Sequence, residues 1–160
     1  MRMMCIVVMF VLGSLAGAQD QDRLAKRYGF DVNLSFYPQK TPKETLLSIG
    51  KAIENNRMDY LLAHLADPKF VDETVADYKN TIRQGEEKAK VFLAFDRLVN
   101  ETTQYFLEDP TLVKELRRFA LEAEWEGNES QTVGTLKEVQ GRKVFLRKYE
   151  DRWFLENKQQ

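Results

Sequence analysis

The C-terminal segment 141–156, GRKVFLRKYEDRWFLE, constrains the fold more than any other part of this chain. Two β-prone runs in it are joined by the polar pair Glu150-Asp151, which is the pattern of a β-hairpin. The hairpin follows a long region, 41–123, in which apolar residues recur with helical period. Helices followed by an antiparallel meander predict an α+β fold, with N-terminal helices packed on an antiparallel β-sheet formed mainly by the C-terminal part.

The first helix has a well-defined predicted start. Thr41 suits the N-cap, Pro42 suits the first helical position, and Glu44 completes a capping box. Asn55 and the residue after it end the helix. Its core-facing stripe is predicted at Leu46, Ile49, Gly50 and Ile53.

Four further helical segments follow in the pattern. A short helix ends before Pro68, since the residue before a proline leaves the α region. A second ends near Gly85, and the longest occupies 86–107, where a wide apolar stripe predicts a helix largely covered by its neighbours. The last begins after a cap at Asp109.

The pattern changes to strands after the helices. Trp125 precedes a Gly127-Asn128 turn, and a β-prone run occupies 132–136. The runs 143–149 and 152–156 complete the predicted sheet. Before the helices, residues 28–36 alternate apolar and polar, which predicts either a strand or an extended arm laid over an apolar groove.

Residues 1–18 have the features of a signal peptide. Arg2 precedes an apolar run and a small-residue region, which predicts cleavage between Ala18 and Gln19. We therefore expect a secreted or periplasmic protein with a leader and arm over 19–40 and no stable membrane span after cleavage. Cys5 would leave with the signal, so the mature chain would fold without a disulfide.

Composition argues against several classes of function. The formal net charge is −1 with both signs interspersed, which gives no electrostatic basis for binding nucleic acid or an anionic membrane. One histidine and no mature cysteine make a metal site improbable. The sequence implies no cofactor, since it contains neither a glycine-rich phosphate loop nor a nucleophile elbow.

The segments TPKETLLSIGKAIENNRMDYLLAHLAD, FLAFDRLV, EWEGNESQTVGTL and GRKVFLRKYEDRWFLE together resemble the nuclear transport factor 2-like superfamily, also called cystatin-like α+β cones. The resemblance covers about residues 41–157 and implies helices packed into the concave face of a curved antiparallel sheet. Its closing strand is commonly led by tryptophan, here Trp153. The chain is also similar to small uncharacterised secreted proteins of planctomycete-type bacteria, which implies no activity.

Four side chains are candidate site residues. His64 is a weak candidate for a catalytic base, but its position off the apolar stripe favours a partly exposed helix flank. Tyr60, Trp125 and Trp153 are weak candidates for lining a ligand pocket, although aromatic residues in such patterns more often pack in the core.

Three functions remain open from the sequence. The first is non-enzymatic binding of a small apolar ligand or of a protein. The second is an isomerase- or cyclase-like enzyme with an acid/base in the cavity, as the resemblance implies for some members of the superfamily. The third is a homodimeric assembly protein that pairs through its sheet.

Overall fold

The computed structural model describes residues 24–109, 111–138 and 141–158, which form an α+β arrangement with two antiparallel sheets. The predicted signal peptide with its cleavage point at Ala18 and Gln19 lies outside the described residues. The helices are α1 (Pro42–Glu54), α2 (Met58–Tyr60) continued by a π-helical turn (Leu61–Leu65), α3 (Pro68–Thr81), α4 (Glu87–Glu108) and α5 (Thr111–Glu122). The strands are β1 (Lys26–Arg27), β2 (Phe30–Asp31), β3 (Glu124–Gly127), β4 (Gln131–Thr135), β5 (Lys143–Tyr149) and β6 (Arg152–Leu155).

The start of α1 confirms the predicted capping box. The backbone N–H of Glu44 donates to Thr41 Oγ1 at 3.1 Å, and the N–H of Thr41 donates back to Glu44 Oε2 at 3.2 Å. Pro42 takes the first helical position, where its missing N–H costs nothing. The helix then buries one face, which includes Leu46 and Ile49.

The main sheet follows the predicted meander in the order β3-β4-β5-β6. Glu150 takes a left-handed φ of 53° in the turn between β5 and β6. The outer edge of β6 is covered by other segments. The N–H of Trp153 donates to the Gln39 carbonyl at 3.0 Å, and the N–H of Asp67 donates to the Leu155 carbonyl at 2.8 Å.

The core lies between the helices and one face of this sheet. Leu146 on β5 and Trp153 on β6 are buried in it, and α1 lies against β6. Helix α5 packs along α1, and α4 packs along α3. Helices therefore precede the sheet in the chain and cover one of its faces.

The alternation over 28–36 is not one strand, so that form of the prediction is wrong. Tyr28 and Gly29 have positive φ values of 50° and 90° and form the turn of a small hairpin between β1 and β2. The hairpin lies on the helices, with Tyr28 stacked on Phe95 at 4.1 Å between ring centroids. The chain then turns again, because the N–H of Tyr37 donates to the Asn33 carbonyl. The arm therefore packs on the core, but as a hairpin followed by a turn.

Helix α4 is less covered than its wide stripe predicts. It buries Ala94, Phe95 and Leu98, while Phe92 and Tyr105 remain exposed. Within residues 24–109, 111–138 and 141–158, no helix is long and apolar enough to cross a membrane.

Candidate functional site

His64 lies in the π-helical turn and is completely buried. Its Nε2 lies 2.8 Å from the carbonyl oxygen of Phe30 on β2. A carbonyl oxygen only accepts, so Nε2 carries the proton and donates it. Nδ1 is then an acceptor, and although it is buried it has no partner among the residues that the structure describes.

The burial of His64 contradicts the predicted exposed flank. Ideal α-helical spacing from Leu61, Leu62 and Leu65 places residue 64 outside the apolar stripe. The π turn changes that spacing, and all of Leu61–Leu65 are buried. The β1–β2 hairpin covers the remaining side of the turn, as the bond from His64 to Phe30 shows.

The environment of His64 keeps its ring neutral. Burial lowers the pKa of His64 to about 4, an effect that the Phe30 carbonyl partly opposes and the nearby cations Arg152 and Arg27 reinforce. An imidazole with a free Nδ1 can accept a proton, which is the chemistry expected of a general base. No part of this ring reaches the surface, however, so a substrate cannot contact it in this conformation.

Further buried polar groups surround this histidine. Gln39 donates from Nε2 to the carbonyls of His64 and Trp153, both at 2.9 Å. Arg27 is bonded to Asp72 at 2.7 Å. Within the described parts of the chain, Gln39 Oε1, Arg27 Nε and Arg152 Nη1 have no hydrogen-bond partner. Burial lowers the pKa of Arg152. Beneath the hairpin, polar groups thus form a cluster with unused donors and acceptors.

Tyr60 is next to His64, with 4.9 Å between ring centroids. Its hydroxyl accepts the N–H of Asn33 at 2.8 Å, and its ring stacks on Tyr37 at 4.3 Å. Burial raises the pKa of Tyr60, so the phenol is protonated at neutral pH. These contacts attach the turn after the hairpin to the helices.

The two tryptophans lie in different environments. Trp153 is 8% exposed and belongs to the core. Trp125 is half-buried on β3 and lies flat on β4, since a Cβ added at Gly134 would come within 2.9 Å of its ring. Neither tryptophan, nor Tyr60 or His64, lines the two cavities described next.

The first cavity has a volume of about 560 Å³ and lies where the π turn, α4 and the end of β6 meet. Its polar rim consists of Glu101, Thr102, Glu156, Asn157 and Lys158. Its remaining walls are apolar or aromatic and come from four separate segments, at Leu61, Leu62, Ala66, Phe70, Leu98, Tyr105, Phe106 and Leu155.

The second cavity, of about 330 Å³, lies between the end of α4, helix α5 and the start of β5. Tyr105 lines it too and so borders both cavities. Leu155 of the first cavity pairs with Leu146 in the ladder, and Val144 of the second lies two residues before Leu146. Because side chains alternate along a strand, both cavities border the same face of the sheet. Together they form what we call the α4–sheet cleft.

The charged groups around the cleft are already engaged with one another. Glu101 is bonded to Arg97 at 2.8 Å, and Glu156 is bonded to Arg147 at 2.6 Å. Lys158 also pairs with Glu156. At the second cavity Arg142 pairs with Glu115, Asp109 accepts bonds from Thr111, and Lys143 has an interaction of its own. Each of these charged groups thus has a bonding partner, and at the first cavity two cations share the Glu156 carboxylate.

A further cavity of about 560 Å³ lies between the N-terminal segment, α3 and the β5–β6 turn. Most of its walls are charged, and Arg27 there is already bonded to Asp72. It therefore offers less apolar surface for a ligand than the α4–sheet cleft. Among the residues that the structure describes, no three His, Asp, Glu or Cys side chains are grouped to hold a metal ion.

Sequence reasoning missed the residues of the cleft and of the buried cluster. Phe106 falls within the wide apolar stripe predicted for 86–107, yet it is only half-buried and lines a cavity. A usable signal was the adjacent pair Tyr105-Phe106, because successive residues of an α-helix point about 100° apart and two neighbouring rings cannot both face the centre of one core stripe. No family model, curated protein or solved structure shows a significant match to this chain.

Proposed function

We propose that this protein is a secreted or periplasmic binding protein of the nuclear transport factor 2-like type, which holds a small apolar molecule in the α4–sheet cleft. The observation that carries the proposal is the apolar wall of the first cavity, built from the π turn, α3, α4 and β6. The α+β order and the tryptophan-led strand β6 support the superfamily assignment, in which a curved sheet and its helices enclose the ligand.

The dimensions of the cleft suit this role. Small-molecule sites in proteins commonly measure roughly 300–1,000 Å³, with mostly apolar walls and a few polar groups. Burial of apolar surface would supply the binding energy, at about 25 cal/mol for each Å² removed from water. The polar rim would fix the orientation of the ligand at the mouth.

The two alternatives have weaker support. An acid/base enzyme would need a substrate to reach His64, which is covered by the hairpin. A dimer that pairs through β3 in an antiparallel manner would bring Glu124 and Glu126 close to the same residues of the second copy, which is unfavourable. Both remain hypotheses.

The test is binding of Nile red, an uncharged dye that fluoresces in apolar sites, to the mature chain beginning at Gln19. We expect saturable binding that is lost in Thr102→Trp, because Thr102 lines the first cavity and an indole there would fill it. Gln104→Trp is the matched control, since it places the same side chain at an exposed position of α4 that lines neither cavity.

Equal binding by both variants and the wild type would locate the dye elsewhere and overturn the proposal. Absence of saturable binding to the wild type would do the same. Circular dichroism of each variant distinguishes a filled cleft from an unfolded chain. Loss of binding in Thr102→Trp with an unchanged spectrum supports the proposed site.

A further inference from the structure

We propose that Tyr105 sets the length of the ligand, which is an uncharged molecule with an alkyl chain that can extend from the first cavity toward the second. This inference rests on the proposed function. It adds a residue that determines specificity and a chemical class for the ligand.

The position of Tyr105 is the first support. Tyr105 contributes to the walls of both cavities of the α4–sheet cleft, and both border the same face of β5 and β6. We expect a chain that fills the first cavity to meet the phenol ring before it can enter the second. Removing the ring should then open a path between cavities of about 560 and 330 Å³.

The weak attachment of Tyr105 is the second support. Its side chain is 60% exposed, and its ring contact is an edge-on one with the adjacent Phe106, at 5.7 Å between centroids. In the described part of the chain, its hydroxyl takes part in no hydrogen bond. Substituting so exposed a side chain should therefore change the cleft and leave the stability of the fold nearly unchanged.

The charge distribution selects the ligand class. Both carboxylates at the rim of the first cavity, Glu101 and Glu156, are bonded to arginine side chains, and Lys158 is paired with Glu156. An anionic headgroup would have to draw Lys158 away from Glu156, and a cationic one would have to compete with an arginine for its carboxylate. An uncharged chain, such as a primary alcohol, needs only the apolar walls and one rim hydrogen bond.

The experiment is displacement of Nile red by straight-chain primary alcohols from hexanol to dodecanol. Each methylene buried contributes about 0.8 kcal/mol, so affinity should rise roughly fourfold per carbon until the first cavity is full. For the wild type, we expect the affinity to stop rising at some chain length within the series. For Tyr105→Ala, the fourfold rise in affinity per carbon should continue to longer alcohols.

Two matched variants complete the design. Tyr105→Phe keeps the ring and should keep the plateau of the wild type. Leu107→Ala removes an equally exposed apolar side chain of α4 that lines neither cavity, and it should also behave as the wild type does. Binding of decanoate as tight as that of decanol would contradict the proposal that the ligand is uncharged.

The outcomes separate the two proposals. If alcohols bind and the plateau is the same in Tyr105→Ala as in the wild type, the role of Tyr105 is wrong and the binding function stands. If the dye binds saturably but no alcohol displaces it from any variant, the inference about Tyr105 and its alkyl ligand fails while the binding function stands. If the dye does not bind the wild type, both fail. A plateau that moves only in Tyr105→Ala supports both.

Discussion

A neutral histidine sealed inside the fold makes the stability of this protein depend on pH. The pKa of His64 is about 4 when folded, against an ordinary value of 6.5. The unfolded chain therefore binds a proton between these values that the folded chain does not, so stability is full above pH 6.5 and falls as the pH drops toward 4. We expect the free energy of unfolding in urea to decrease by roughly 1–2 kcal/mol from pH 7 to pH 5.

His64→Gln isolates this contribution from that of the other ionisable groups. A glutamine amide can donate to the Phe30 carbonyl but does not titrate. The variant should lose less stability than the wild type over the same pH interval, even if it is less stable at pH 7. An identical loss in both proteins would show that His64 is not the group responsible.

Trp153 tests whether the closing strand is part of the core. Its side chain is 8% exposed and lies in the main hydrophobic cluster. Trp153→Ala should destabilise the protein by roughly 3–5 kcal/mol through lost contacts and a cavity. Leu121→Ala is the control, because Leu121 is 66% exposed and its truncation should cost less than about 0.5 kcal/mol. Similar small losses at both positions would place Trp153 at a surface.

The residues that could be predicted are those whose partners are close in sequence. The capping box of Thr41 and Glu44 lies within four consecutive residues, so its sequence pattern was sufficient to predict it. The burial of His64 depends on Phe30, thirty-four positions away, and on the π turn that reorients the ring. The spacing of apolar residues within one helix predicts neither the contact with Phe30 nor the π turn.

The β1–β2 hairpin is held to the helices by a largely buried ion pair. The Arg27 side chain is 5% exposed and lies 2.7 Å from Asp72 of α3, which also accepts from the Tyr28 hydroxyl. Asp72→Asn removes the charge and leaves the guanidinium buried without its counter-ion. Because Asp72 is itself partly exposed, we expect a loss of about 2 kcal/mol in urea unfolding.

Hydrogen exchange shows where that loss occurs. The amide of Val32 donates to the Ala25 carbonyl at 2.8 Å across the hairpin, so its exchange should accelerate in Asp72→Asn. Glu73→Gln is the matched control on the same helix, since Glu73 makes only an exposed pair with Lys69 at 3.9 Å. If Val32 exchanges at the same rate in both variants, the ion pair does not anchor the hairpin.

The sequence pattern predicted some secondary-structure elements better than others. The β5–β6 hairpin was predicted closely because two β-prone runs and a polar turn are contiguous. The alternation over 28–36 has the same period, but it has no partner strand long enough to continue a ladder. Tyr28 and Phe30 instead pack on Phe95 of α4, and a turn at Gly29 reverses the chain. The two-residue period of 28–36 predicted an extended chain, but it did not predict which strands pair.

The cleft belongs to the assembled molecule and to no single segment. Its walls come from the π turn, α3, α4, α5, β5 and β6, so no single sequence motif could predict it. The π turn borders both the cleft and the polar cluster beneath the hairpin. Leu61 and Leu62 face the cleft, while His64 faces the polar cluster beneath the hairpin. Any ligand of the cleft therefore binds a surface that exists only when this turn is folded.

That dependence couples ligand binding to acid unfolding. A ligand that binds only the folded chain, at about a hundred times its Kd, stabilises it by roughly 2.7 kcal/mol. This exceeds the loss expected from protonating His64 between pH 7 and pH 5. Acid unfolding of the wild type, followed by circular dichroism, should therefore move to lower pH in the presence of decanol.

Thr102→Trp provides the control for this coupling, since its filled cleft should leave the acid midpoint unchanged by decanol. His64→Gln should still show the shift, because the ligand acts through the cleft and not through the imidazole. A decanol shift of equal size in Thr102→Trp would mean that the alcohol stabilises the fold from another site. An unshifted wild type would mean that the cleft does not bind it when folded.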